Sequence, residues 1–233
     1  MLVMRIIDSI LTVPCKNTSI TGQTGHRAGQ ARIVSDMSDP SPTVARSPLM
    51  VVPWDPVWPV RAADLVTELA RRIGPAARRI EHIGSTAIPG MAAKPVYDLQ
   101  VSVTDLVATA DVIDSAVLPL GLARFPWERD HVPAGSADPP ERWAKRAWAK
   151  PAPGGERIHL HARLVGSPNE RLALLFRDWF RAHPTAVPAY ARFKTLLAAA
   201  LDDIDTYTDI KDPVVDLVIA VADDWAAETG WTP

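Results

Sequence analysis

One cysteine, Cys15, stands in a chain of 233 residues. That excludes an internal disulfide framework and any zinc site built on a cysteine cluster. So few thiols fit a reducing cytoplasm. No stretch approaches the ~18 consecutive apolar residues of a membrane-spanning helix, so a membrane partner is not expected. A basic excess is also missing: Lys plus Arg number 25 against 27 for Asp plus Glu. Proteins that coat nucleic acid are basic, so nucleic acid is not an expected partner. The phosphate loop G-x-x-x-x-G-K-[ST] is absent from the sequence.

Proline is abundant, at 22 residues. Residues 1–47 read as a disordered or poorly ordered arm, because Asn17–Gln30 and Ser38–Thr43 are polar, rich in glycine, serine and proline, and without period. The apolar opening is broken by Asp8 and lacks a small-x-small cleavage site, which argues against a signal peptide. Met37 and Met50 offer alternative starts. Residues 48–228 read as one domain, with 229–233 as a tail.

Within the domain, Leu49–Val52 is a short strand candidate and Asp55-Pro56 opens a helix. Trp58, Ala62, Leu65, Leu69 and Ile73 form its apolar face up to Gly74-Pro75. Strands are expected at Arg78–Ile83, Val96–Val103, Leu122–Trp127, Trp143–Ala149 and Arg157–Leu164. Pro153-Gly-Gly155 reads as a turn, and Thr104 as the cap of a helix lasting to Leu118. The last third is helical. Ser167-Pro-Asn-Glu170 is a capping box before Leu172, Leu175, Phe176, Trp179 and Phe180. Tyr190, Phe193, Leu196, Leu197 and Leu201 mark a second helix, and a third opens near Asp212-Pro213 with Val214, Leu217, Val218, Val221 and Trp225. The fold class is α+β (mixed α/β): a single mixed sheet with helices packed on one face and a helical C-terminal third.

Two strands carry chemistry on one face each. Asp98, Gln100 and Ser102 alternate with Tyr97, Leu99, Val101 and Val103, and His159, His161 and Arg163 alternate with Ile158, Leu160, Ala162 and Leu164. Such polar faces read either as an open binding surface or as a solvated side of the sheet. The first reading gains from Gly84-Ser85 thirteen residues before Asp98. Glycine lets backbone approach a phosphate, and N–H groups with a hydroxyl cradle its oxygens. The two histidines suit metal chelation or acid–base work. His82 reads as a core histidine holding the Gly-Ser loop. Lys94, Arg146, Lys150 and Arg163 are candidate phosphate contacts. Tyr207 and Lys211 share a helical face that can close over the site.

The run IEHIGSTAIPGMAAKPVYDLQV resembles the signature of the GrpB family. Val52-Pro-Trp-Asp-Pro-Val-Trp58, His159-Leu-His161, LLFRDWFRAHP, Tyr190, Lys194 and Tyr207-x-x-x-Lys211 support it in order, over about residues 50–228. Asp98-Leu-Gln100, Trp143-Ala-Lys-Arg146 and Ala173–Trp179 look like the GrpB-type domain fused behind dephospho-CoA kinase in some actinobacteria, and the chain resembles a free-standing version of it. The resemblance implies a polymerase-β-like nucleotidyltransferase fold, with a nucleoside triphosphate and Mg²⁺ as cofactors. By this resemblance Gly84 and Ser85 bind phosphates; on their own chemistry Lys94, Gln100, Arg146, Arg163 and Lys211 are read as further cofactor contacts. Asp98 is the metal ligand and, with His159 and His161, forms the catalytic set acting on an unidentified acceptor. The implied pattern has a second carboxylate where this chain has Gln100, and a third on the strand that offers His159 and His161. Glutamine is a neutral ligand, and imidazole suits transition metals better than Mg²⁺. An alternative is therefore a catalytically degenerate module that assists a partner such as dephospho-CoA kinase.

Overall fold

The computed structural model describes residues 50–150, 155–201 and 203–233. The expected arm at 1–47 and the first two residues of the Pro153–Gly155 turn lie outside the described residues. A first helix, α1 (Val57–Ile73), opens where the Asp55 carboxylate accepts the Val57 N–H at 2.8 Å. It buries Trp58, Ala62, Leu65, Leu69 and Ile73, the five residues its periodicity selects. Gly74, at φ 62°, ends it in a conformation that glycine adopts without strain.

Five strands follow: β1 (Arg79–Ile83), β2 (Val96–Val103), β3 (Ala123–Phe125), β4 (Lys145–Lys150) and β5 (Arg157–Leu164). They form one mixed sheet in the order β1-β2-β5-β4-β3. Only the β2–β5 pair is parallel. Leu49–Val52 contributes no strand among the described residues; Val52 makes an isolated bridge to Ala93. On the apolar face Leu99, Val101, Val103, Ile158, Leu160 and Ala162 pack with α1 and with α2 (Ala110–Val117). α2 begins later than Thr104. The Asp105 carboxylate first accepts the N–H groups of Val107 and Ala108, which turns the chain before the helix starts.

The C-terminal helices are α3 (Pro168–Ala182), α4 (Val187–Ala200) and α5 (Ile204–Thr229). Ser167 caps α3 by accepting the Glu170 N–H. The Glu170 carboxylate accepts from the Gly166 N–H at 2.7 Å and pairs with Arg79 at 2.9 Å, so the box closes one residue early. α5 starts nine residues before Pro213, with Asp203 as its cap, and Pro213 lies inside it. Its buried positions among the described side chains are Tyr207, Ile219, Ala222 and Ala226; Leu217 and Val221, expected in the core, are exposed. The same holds on α4, where Leu196 is exposed while Val187, Tyr190 and Lys194 are buried. Trp231, in the expected tail, packs on Trp225 and donates to Asp178 at 3.3 Å. No described helix is long and apolar enough to cross a membrane.

A second core joins these helices to the segment after β1. Ile88 and Met91, both fully buried, pack among Phe176, Phe180, Val187, Tyr190 and Ile219. Burial of such side chains stabilises by ~1.5–3 kcal/mol each, which anchors the segment carrying Gly84 and Ser85.

Candidate functional site

The strand register assembles the site. Ile83, the last residue of β1, pairs with Asp98, so the chain leaves the sheet at Gly84 directly beside that carboxylate. Gly84 has φ 70°, and a Cβ there would lie 2.7 Å from Asp98 Oδ2. Only glycine allows this approach. The parallel register sets Asp98 beside His159 and Gln100 beside His161. Asp98 Oδ1 stands 3.3 Å from His159 Nδ1 and 3.9 Å from His161 Nε2. One ligand atom from each of the three residues lies within 4.8 Å of the others.

Burial opposes ionisation of Asp98, and the two neighbouring imidazoles outweigh it, holding the carboxyl well below the usual range. Burial lowers the pKa of His161 to about 4, with the Asp98 carboxylate opposing, so this imidazole is neutral at pH 7.

The Gly-Ser loop is held from three sides. The Thr86 hydroxyl donates to the Val96 carbonyl at 3.0 Å, so its oxygen accepts from His82 Nε2 at 2.9 Å. His82 therefore carries its proton on Nε2 and braces the loop, as the sequence indicates. Burial pushes its pKa down to about 4. Arg181 donates twice to the Ala87 carbonyl. From α4, Lys194 Nζ donates to Ser85 Oγ at 2.7 Å.

Lys194 belongs to a cationic group. Burial is the main reason that its pKa falls to about 7, and the nearby Lys211 and Lys94 add to it. Lys94 lies 4.9 Å from the Tyr207 ring centre, and burial lowers its pKa too. Lys194 alone of the three bonds the Gly-Ser turn; Lys94 and Lys211 stand near enough to Lys194 to disfavour its charge, and Asp212 accepts from Lys211 at 3.1 Å. Lys194 appears in the sequence resemblance without a site role. Its signal is a lysine set in a core stripe: Val187, Tyr190 and Lys194 fall at i, i+3 and i+7.

Other sequence candidates are placed differently. Gln100 is fully buried; its amide accepts from Arg163 at 2.6 Å and donates to the Glu170 carbonyl at 3.3 Å. Arg163 also pairs with Asp130 at 2.8 Å. Asp130, unmarked in the sequence reading, further accepts from Lys145 at 2.6 Å and Asn169 at 2.9 Å. Gln100 and Arg163 therefore spend their polar groups on each other and on this buried network, beneath the Asp98 cluster. The open or solvated face expected for both strands exists only at the Asp98–His159 end. Arg146 pairs in register with Ala162, an apolar-face residue, so it projects to the opposite side of the sheet, 3.4 Å from Glu128. Strand alternation puts Lys145 on the site's face instead. Lys150, paired with Ile158, also points away. Arg177 binds the sheet through Glu81 at 2.6 Å and the His82 carbonyl, and Asp178 pairs back with Arg177. Trp127 is half-exposed on the site's face, 6.1 Å from the His159 ring.

These elements define a glycine turn packed against a carboxylate–histidine cluster, and the comparisons give them a family. The GrpB protein family model matches residues 48–220, and the chain belongs to that family. Among relatives, it is 36% identical over 208 residues to a dephospho-CoA kinase of Mycolicibacterium paratuberculosis, covering 82% of this chain and 50% of that protein. The chain thus spans about half the length of the dephospho-CoA kinases it matches. A UPF0157 protein of Pseudomonas aeruginosa is 32% identical over 174 residues, covering 74% of this chain and 66% of that protein. The crystal structure of GrpB from Enterococcus faecalis superposes with a TM-score of 0.60 at 26% identity, covering 74% of this chain and 96% of that one.

A two-Mg²⁺ site, implied by the sequence resemblance, can be tested against these residues. Mg²⁺ is held through carboxylates and phosphate oxygens. The second-carboxylate position is Gln100, fully buried and already bonded. Asp130, part-buried in the same network, is occupied by Lys145, Arg163 and Asn169. The residues do not fit two Mg²⁺ ions.

Proposed function

We propose that this chain is a cytoplasmic, nucleotide-binding transferase that moves a nucleotidyl or other ATP-activated group to an unidentified acceptor. The observation that carries the reading is the Lys194–Ser85 hydrogen bond within a group of three lysines, against a glycine turn that allows no side chain. Like charges gathered around a hydroxyl are unfavourable unless an anion joins them, and a triphosphate supplies that charge. Lys94, Lys194 and Lys211 draw the phosphates to the Ser85 turn, and Asp98 meets the single divalent cation that accompanies them. Held at Asp98, such a cation would supply positive charge beside the phosphates. His159 and His161 flank Asp98 and orient the cation or the acceptor beside the phosphate.

The test is calorimetric titration of ATP and GTP, with and without Mg²⁺, into wild type, Asp98→Ala and Lys194→Ala. Wild type binds at least one nucleotide, and Lys194→Ala weakens it about tenfold or more, the loss expected for a charge-assisted contact worth ~1.5–3 kcal/mol. Absence of binding by all three proteins contradicts the reading.

A second reading is a non-catalytic module that assists or regulates a dephospho-CoA kinase. It is favoured by the buried, engaged Gln100 and by the half-length match to dephospho-CoA kinases. Co-expression with such a kinase separates the two. A partner effect that survives Asp98→Ala combined with His161→Ala supports the module.

A further inference from the structure

Asp98, His159 and His161 supply one oxygen and two nitrogens, a donor set that serves Mg²⁺ poorly and first-row transition ions well. We propose that these three residues hold one transition-metal ion, with Zn²⁺ the best match, and that this ion takes the place of the two Mg²⁺ ions that the residues do not fit. The proposal rests on the transferase reading only for what the ion's open side faces; the site itself stands on its own geometry.

Zinc binds histidine nitrogen and carboxylate oxygen at ~2.0–2.2 Å, so two adjacent ligands stand roughly 3–4 Å apart. Asp98 Oδ1 is 3.3 Å from His159 Nδ1 and 3.9 Å from His161 Nε2. A second observation points the same way. His161 is buried with no hydrogen-bond partner at Nδ1, and its Nε2 is beyond hydrogen-bond reach of Asp98. A cation between His161 Nε2 and Asp98 Oδ1 bridges a gap that no hydrogen bond spans. Rigid neighbours keep the trio together: β2 and β5 fix all three backbones, and Gly84 packs on the Asp98 carboxylate. Lys145 and Arg163, the cations behind the cluster, are paired with Asp130 and do not compete for Asp98.

Three protein ligands leave a tetrahedral ion one open position, as in zinc sites that act on substrates. Asp98 and His159 are the partly exposed members, so the open position faces solvent on their side, with Gly84 packed on Asp98. One carboxylate with two neutral imidazoles leaves a divalent ion with net positive charge. An anionic phosphate oxygen is the ligand such an ion takes next.

The test uses the full, untagged chain stripped with chelator, titrated with Zn²⁺, Co²⁺ and Mg²⁺ in the absence of nucleotide. One Zn²⁺ binds per chain, about 100-fold or more tighter than Mg²⁺, following the preference of imidazole for transition ions. His159→Ala and His161→Ala each weaken Zn²⁺ binding at least about tenfold. His131→Ala, which removes a histidine lying beside Asp216 and away from this cluster, leaves it unchanged. The Co²⁺-loaded wild type shows hyperfine-shifted proton signals from two imidazoles, a readout that needs no variant to fold. Mg²⁺ binding as tightly as Zn²⁺, undiminished Zn²⁺ binding in the His159→Ala/His161→Ala double variant, or absence of shifted imidazole signals overturns the proposal. Since no nucleotide is present, such a failure is distinct from a failure of ATP to bind wild type.

Discussion

Gly84 concentrates the demands of the site in one residue. Its positive φ costs any other L-residue ~1–2 kcal/mol, and the added Cβ would sit against Asp98 Oδ2. Gly84→Ala is expected to lower the melting temperature by about 2–8 °C, the shift that ~1–2 kcal/mol gives in a domain of this size. It is also expected to abolish binding at Asp98, which differential scanning calorimetry and titration on the same sample read together. Lys194 makes the site sensitive to pH. Burial brings its pKa down to about 7, so its ammonium is lost as pH rises through neutrality. Nucleotide affinity should fall between pH 6 and 8.5 in wild type, and Lys194→Arg, which stays charged, should flatten that profile. His82 acts on stability with its own sign. Its pKa is lowered from the ordinary 6.5 to about 4 by burial, so between those values the unfolded chain binds more protons than the folded one. Stability therefore decreases as pH falls from 6.5 to 4, and His161 adds the same dependence. Thermal melts should show a shallower decline in His82→Gln, whose amide can still donate to Thr86.

At the scale of elements, sequence and structure agree where a period is strong and part company where local chemistry intervenes. The apolar stripe of α1 and the alternation in β2 and β5 are legible because each buries one face against the same core. The start of α2 is not, because the Asp105 side chain captures two backbone N–H groups that a helix begun at Thr104 would use otherwise. Pro213 misleads for a different reason. Proline is favoured at helix starts, but here Asp203 supplies the cap and tertiary packing of Tyr207 carries the helix through. The site was half legible. Gly84, Ser85, Asp98, His159 and His161 come together as strand alternation and the turn suggest. Arg146 does not, because alternation along β4 turns it to the other face, a register that only pairing with β5 fixes. The Asp130 network was invisible, since its partners come from distant segments with no shared period. The capping of α3 offers a simple check: Ser167→Ala should cost ~1 kcal/mol and lower the melting temperature by about 2–4 °C.

Across the whole molecule, two cores flank the Gly84–Ser85 turn. One lies under the sheet with α1 and α2, and the other joins Ile88 and Met91 to α3, α4 and α5. The site sits where the segment anchored by the second core leaves the strand supported by the first, which is how α4 delivers Lys194 to Ser85, 109 residues earlier in the chain. Truncation to Pro48 should leave the melting temperature within about 2–4 °C, whereas removal through Trp58, a buried residue of α1, should abolish cooperative unfolding. In the proposed function, Ser85 and the three lysines hold nucleotide phosphates next to the Asp98–His159–His161 cluster. The most direct test is a crystal structure of the protein soaked with Co²⁺ and a non-hydrolysable ATP analogue, measured at the cobalt absorption edge. The prediction is an anomalous peak ligated by Asp98, His159 and His161, with phosphate oxygens bonded to Ser85 and Lys194. Nucleotide density elsewhere on the molecule, with an empty Ser85 turn, would contradict it.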